Sequence, residues 1–232
     1  MFKMYLCTDA PDAPTSAKVT GYTAAGCELV LESAAGSQVT MTPGGETQEF
    51  TGATFTRPPN GSYTHGVMLI DNIFTISFDR QFDASLTGGA GGAGEYCATV
   101  AGSADETTGG SVTCSANDDL TAGLWGAILT SFDGLISDDF DVYAPNLNGT
   151  DNHISGYLVT SAEKLTTTRA DVTDLIGIQT FASPVVITKD FSGLDIAFGI
   201  NQGSSLWDNA GAGVTIEAGS GPFMAIITPL NY

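Results

Sequence analysis

The sequence predicts a mainly β protein: a sandwich or open barrel of many short strands, with one long amphipathic helix over about residues 117–137 packed against it. Three observations predict this. Short apolar segments recur along the chain, separated by Gly, Ser, Pro and Asn in turn compositions. One long stretch, NDDLTAGLWGAILTSFDGLIS, carries a helical period. The chain has 42% hydrophobic and 9% aromatic residues over 232 positions, enough to bury a core.

Taken in order, residues 1–16 read as an extended N-terminal arm, because Pro11 and Pro14 exclude helix and Phe2, Met4, Tyr5 and Leu6 form an apolar start suited to docking. Residues 17–232 read as a single β-rich domain around the central helix. Strands are expected at Val19–Tyr22, Cys27–Leu31, Gln38–Met41 and Glu49–Phe55, with turns at AAG, AAGS and PGGE between them. Asn60-Gly-Ser and Asn148-Gly-Thr match glycosylation sequons and read as turns. Val67–Ile70 and Ile73–Phe78 flank Asp71-Asn72, the pattern of a tight hairpin.

Gly88–Gly94 reads as a mobile loop. Its GxGxxG match at Gly89, Gly91 and Gly94 lacks the following helix and acid that a dinucleotide site needs.

In the helical stretch, Leu120, Leu124, Trp125, Ile128, Leu129, Phe132, Leu135 and Ile136 fall on one side. The other side holds Ala122, Gly123, Gly126, Ala127, Thr130, Asp133 and Gly134 where an ordinary surface helix carries Lys, Glu or Arg. Interior glycines cost about 1 kcal/mol each relative to alanine, so packing on both sides must hold such a helix. Gly123, Gly126, Ala127, Thr130 and Gly134, with Phe2, Tyr5 and Leu6 of the arm, are therefore the expected assembly interface. Asp133 inside the run and acids at both ends argue against a membrane span.

Residues 138–153 form an acidic irregular segment. Asp139, Asp141, Asn146, Asn148 and Asp151 offer oxygen ligands of the kind calcium takes, although their spacing fits no EF-hand. No other cofactor is expected. Beyond this segment come a strand at Ile154–Thr160 and a short helix or turn over Arg169–Ile178. Further strands are expected at Val185–Thr188, Leu194–Ile200, Val214–Glu217 and Phe223–Thr228.

The net charge of −19 comes from only 7 Lys and Arg rather than from surplus among the 26 acids. That argues against gripping nucleic acid phosphates. Cys7, Cys27, Cys97 and Cys114 show no CxxC or metal spacing and are expected reduced and buried, with Cys97 and Cys114 able to close a loop in an oxidising environment. The two histidines, His65 and His153, have no partner at metal spacing, and no nucleophile elbow, Walker or HExxH motif occurs. No enzymatic activity is expected.

The expected function is a self-assembling structural subunit of a bacteriophage virion: a tail-tube, decoration or cement protein. It would be made in the host cytoplasm without a signal peptide. Its partners would be copies of itself and other virion proteins, with no membrane and no sequence-specific nucleic acid. The alternative is a carbohydrate-binding or adhesion β-sandwich module using Tyr63, Tyr143 and Trp207, with calcium support.

Overall fold

Frequent glycine and turn residues keep apolar runs short, and short apolar runs bury best as paired strands. The computed structural model accordingly is mainly β; it describes residues 1–41, 48–105, 108–131, 140–144, 152–199, 204–208, 215–220 and 224–231. The chain forms two compact units. Unit 1 comprises Met1–Asn72, Ser131–Ile200 and Phe223–Tyr232; unit 2 comprises Ile73–Thr130 and Asn201–Pro222.

Unit 1 contains β1 (Lys3–Cys7), β2 (Cys27–Glu32), β3 (Thr54–Phe55), β4 (Gly61–Asp71), β11 (Phe140–Ala144), β12 (Asn152–Val159), β13 (Asp174–Ile187), β14 (Phe191–Gly199) and β17 (Met224–Asn231). Seven of these strands form one sheet in the order β11-β12-β13-β4-β1-β2-β3, and β14 pairs with β17 in a second. The expected arm thus holds an inner strand: β1 is hydrogen-bonded to β2 on one side and β4 on the other.

Alternation along β1 sorts its side chains to two faces. Met4 and Leu6, both fully buried, join Val30, Met68, Val185 and Ile187 beneath Phe191 and Ala225 of the β14–β17 sheet. Tyr5 and Cys7 lie with Val67, Leu69, Val159, Ile176 and Ile178, covered by Ala13, Tyr22, Ala25 and Leu165. A strand sandwiched on both faces reads as a continuous apolar run, which is why VMLI in β4 lacks clean alternation. β13 follows β4 antiparallel until a register shift between Thr180 and Val185, and Pro184 sits in that unpaired stretch, where no ladder N–H is needed.

Gln179 joins the two sheets. Its buried amide donates to the Ala225 carbonyl at 2.7 Å and accepts from the Ala225 N–H at 3.3 Å, acting as a surrogate peptide.

Unit 2 contains β5 (Ile73–Ile76), β6 (Asp79–Gly88), β7 (Ala93–Thr99), β8 (Gly102–Asp105), β9 (Val112–Ser115), β10 (Trp125–Ile128), β15 (Ser204–Asp208) and β16 (Thr215–Ser220). Its sheets run β5-β10-β8 and β15-β16-β6-β7-β9.

Four expectations are corrected. The helix over 117–137 is not formed at 117–131. That segment is irregular and then enters β10, antiparallel to β5 and parallel to β8; residues 132–137 lie outside the described residues. The small residues have a local reason: a Cβ on Gly123 would sit 2.3 Å from the Ala101 nitrogen, and one on Gly126 3.0 Å from the Ser103 Cβ. The glycines admit close approach of the chain's own strands, and the helical penalty of about 1 kcal/mol per glycine is never incurred.

Second, Asp71-Asn72 closes no hairpin, because β4 pairs with β1 and β13 while β5 pairs with β10. Third, the cysteines are not reduced: Cys7–Cys27 and Cys97–Cys114 are disulfides, and no cysteine is free. Strand register explains both bonds, since each joins residues directly opposite one another in an antiparallel pair. Fourth, Gly88–Gly94 is a packed connection between β6 and β7. A Cβ on Gly92 or Gly94 would lie 2.1 or 1.8 Å from the carbonyl of Cys114 or Ser115.

Candidate functional site

Open sheets end in strands whose outer backbone groups are available to another chain, and natural edges are commonly blunted by lysine or proline. Among the described residues the seven-stranded sheet ends in β3 and β11, the five-stranded in β15 and β9, and the three-stranded in β5 and β8. None of these six strands contains Lys, Arg or Pro. Three of them carry large exposed apolar side chains instead: Phe55 on β3 at 46% exposure, Ile73 on β5 at 44% and Leu206 on β15 at 40%. Phe55 extends an aromatic contact to Phe191, whose ring lies 6.2 Å away and also faces the Arg57 guanidinium at 5.6 Å. Arg57 is itself held by the Asn60 side chain and the Thr188 carbonyl.

A polar cluster lies on the opposite face of the seven-stranded sheet from Met4 and Leu6. Lys3 Nζ is 2.6 Å from Glu163 Oε1, and the Tyr22 hydroxyl donates to Glu163 Oε2 at 3.1 Å. Tyr22 stacks on Tyr5 with ring centroids 4.2 Å apart. Glu163 sits at φ 58°, the one non-glycine residue with positive φ among the described residues. That conformation costs about 1 kcal/mol, and the turn fixes it by donating the Glu163 N–H to the Thr160 carbonyl.

The hydrogen bond from Lys3 to Glu163 raises the ammonium pKa, and burial followed by the Glu163 charge raises that of Tyr22. Asp174, opposite Asp71 in the ladder, is raised by burial first and by the Asp71 and Glu163 charges. Both Glu163 oxygens are already engaged, so the cluster ties the 160–164 turn to β1 and Tyr22.

Unit 2 holds a buried carboxylate. Glu217, 2% exposed, accepts from the Gly110 N–H at 2.8 Å on one oxygen. On the other it accepts from the Ser111 N–H at 2.8 Å and the Ser111 hydroxyl at 2.7 Å. Gly109 and Gly110, at φ 70° and 89°, lead into this anion-binding curve of backbone. Gly89 leaves the space: a Cβ there would lie 1.6 Å from Glu217 Oε1. Sequence reading missed this feature. The available signal was Gly109-Gly110-Ser111, a run whose first residues tolerate positive φ, but nothing local points to an acid more than a hundred residues away.

The sequence-predicted residues fall in different elements. Leu6 and Ala127 are buried within the chain, Thr130 is buried with its hydroxyl donating to Asp105, and Gly126 lies inside the three-stranded sheet. Phe2 and Tyr5 are half-buried, Tyr5 against Tyr22. Gly134 lies outside the described residues, as do Asp139, Asn146, Asn148 and Asp151 of the expected calcium loop; Asp141 falls in β11, opposite Ser155. Tyr63 is buried, its hydroxyl donating to the Pro59 carbonyl, while Tyr143 and Trp207 fall in β11 and β15. His65, in β4, is paired through Nδ1 with the Thr64 hydroxyl, and burial lowers its pKa against the opposing influence of Asp9. His153 falls in β12. Among the described residues, no group of three or more His, Cys, Asp or Glu converges as a metal site.

No family model, curated protein or solved structure matches the chain. Fold and geometry therefore define the class: a mainly β protein of two units, each stapled by one cross-strand disulfide.

Proposed function

We propose that the protein is a non-enzymatic, self-assembling structural subunit, working in a bacteriophage virion as a tail-tube, decoration or cement protein. One observation carries this reading: edge strands β3, β5 and β15 present exposed Phe55, Ile73 and Leu206 and contain none of the lysine or proline that commonly blunts an edge. Such edges add to a neighbour's sheet through main-chain hydrogen bonds while the apolar side chains leave water. The packing of the β14–β17 sheet on the seven-stranded sheet of unit 1 gives edge β3 a rigid mounting. Other virion proteins are the expected further partners, and the shortage of basic residues suits a wall that nucleic acid passes without sticking. The disulfides suit a particle that works outside a reducing cytosol.

The test is lysine substitution at the edges. Phe55→Lys, Ile73→Lys and Leu206→Lys, singly and together, are expected to leave the fold intact by circular dichroism and to reduce the mass seen by light scattering. Unchanged assembly in the triple variant would count against edge addition.

The disulfides and the half-buried Tyr5–Tyr22 stack favour a second reading, an extracellular carbohydrate-binding or adhesion module. A discrete monomer that binds a glycan on an array, and loses it on Tyr5→Ala, would support that reading over the first.

A further inference from the structure

The two faces of the seven-stranded sheet are closed differently. One buries Met4 and Leu6 under β14 and β17. The other sets Val67, Leu69, Val159, Ile176 and Ile178 beneath residues 8–26, a segment with no helix or strand of its own. This strap brings little apolar bulk to the face: Pro11 and Pro14 are buried in it, and Ala13, Tyr22 and Ala25 touch the core. An irregular segment with so few buried apolar contacts loses little when it lifts, so its cost of local opening is low.

Its fastening is concentrated at its ends. Cys7 and Cys27 bracket the strap and are bonded as the last rung of the β1–β2 ladder. Beside that bond the Asp9 N–H donates to the Ala25 carbonyl at 3.1 Å, and the Thr64 hydroxyl to the Thr8 carbonyl at 2.7 Å. Farther along, the Tyr22 hydroxyl reaches Glu163 at 3.1 Å and the Leu165 N–H reaches the Thr15 carbonyl at 3.2 Å. The two disulfides of the chain differ in access. Cys97 and Cys114 are 1% and 4% exposed, inside the apolar core of unit 2. Cys7 is fully buried, but Cys27 is half-buried between exposed Gly26 and Glu28. A disulfide opens to a thiolate that reaches one of its sulfurs, so access at Cys27 decides which bond reacts first.

We propose that Cys7–Cys27 is a redox latch: intact, it holds residues 8–26 over this core face; opened by a dithiol, it lets the strap lift while the sheet stays folded. The step is thiol–disulfide exchange. A thiolate of the dithiol attacks Cys27 Sγ, the Cys7–Cys27 bond breaks, and Cys7 leaves as a thiolate that takes a proton from water. The second sulfur of the dithiol then displaces Cys27, so the chain gains two electrons and two protons and the reductant becomes a cyclic disulfide. The rungs from Lys3 to Leu6 still hold β1 between β2 and β4, which confines the loosening to the strap. A thiol-rich cytosol and an oxidising exterior thereby set whether the face around Val67 and Ile178 is sealed. This device goes beyond the assembly reading and stands or falls without it.

The test treats the full, oxidised chain with dithiothreitol under native conditions. Alkylation of freed thiols, read by peptide mass spectrometry, times the opening of each disulfide, and hydrogen–deuterium exchange follows the strap. Cys7 and Cys27 are expected to be alkylated about tenfold faster than Cys97 and Cys114, or more. On the same time course the amides of Asp9, Gly21 and Leu165 should exchange about tenfold faster, while those of the β13 ladder stay protected. Equal rates of opening, or Cys97–Cys114 opening first, overturn the latch. Opening of Cys7–Cys27 without faster strap exchange overturns the release, and faster exchange across the whole sheet overturns its confinement to the strap. A chain carrying both Cys7→Ser and Cys27→Ser should show the fast strap exchange with or without dithiothreitol. A strap as protected in that variant as in the oxidised chain refutes the proposal.

Discussion

Removing the Glu217 carboxylate is the sharpest perturbation of unit 2. Glu217→Ala leaves the Gly110 N–H, the Ser111 N–H and the Ser111 hydroxyl without their acceptor, at a position only 2% exposed. Each buried orphan donor costs about 1–3 kcal/mol, and the desolvation no longer required for the carboxylate offsets part of the sum, so the net loss is about 2–4 kcal/mol. Glu217→Gln keeps an acceptor for Ser111 but turns an NH2 toward the Gly110 N–H, and costs about 1–3 kcal/mol.

Gly89→Ala acts on the same contact from the other side, since its Cβ would sit 1.6 Å from Glu217 Oε1 and expel the carboxylate. The two lesions therefore do not add: Gly89→Ala costs several-fold less in a Glu217→Ala background than in the native chain. Urea titration followed by tryptophan fluorescence is the assay, because both tryptophans, Trp125 and Trp207, belong to unit 2. Additive losses in the double variant, or a Glu217→Ala midpoint equal to the native one, would refute the reasoning.

Other outcomes follow from the same geometry. Replacing Cys97 and Cys114 by alanine opens a loop with ends 17 residues apart and lowers stability by about 3 kcal/mol on the chain-entropy account; the Cys7–Cys27 loop, separated by 20, gives a similar figure. Urea unfolding of each double variant measures this, and thiol titration of the native chain in denaturant should find no free cysteine. Gln179→Leu leaves the Ala225 N–H and carbonyl without partners and should cost about 2–4 kcal/mol by chemical unfolding.

His65 has a folded pKa below its ordinary 6.5 because burial disfavours its charge. The unfolded chain takes up that proton as pH falls through 6.5 while the folded chain resists it, so this contribution to stability is present above 6.5 and declines below it. His65→Gln should flatten the fall in unfolding free energy between pH 6.5 and the lower folded pKa; an unchanged slope would contradict the assignment.

The β character was legible because apolar runs such as CELVLE and the VMLI of β4 were short and bounded by turn residues. β6 was not, since DRQFDASLTG is mostly exposed and shifts register between Gln81 and Leu86, which erases strict alternation. The helical reading failed over 117–131 for a related reason. Apolar residues at three- and four-residue steps also arise when an irregular segment with exposed Leu124 runs into a short strand holding buried Trp125 and Ala127. Period alone could not weigh the glycines, whose neighbours at Ala101 and Ser103 are set by tertiary packing. Likewise the polar features worth finding, Glu217 with Ser111 and Lys3 with Glu163, join positions more than a hundred residues apart. No local spacing encodes such pairs.

Association of the unmodified, oxidised chain bears on the central claim most directly. Light scattering coupled to size exclusion, read over a hundred-fold range of concentration, should give a mass well above the 23.9 kDa of one chain, with rings or tubes of regular symmetry in negative stain. A mass that stays at that of a single chain across the whole range would contradict it.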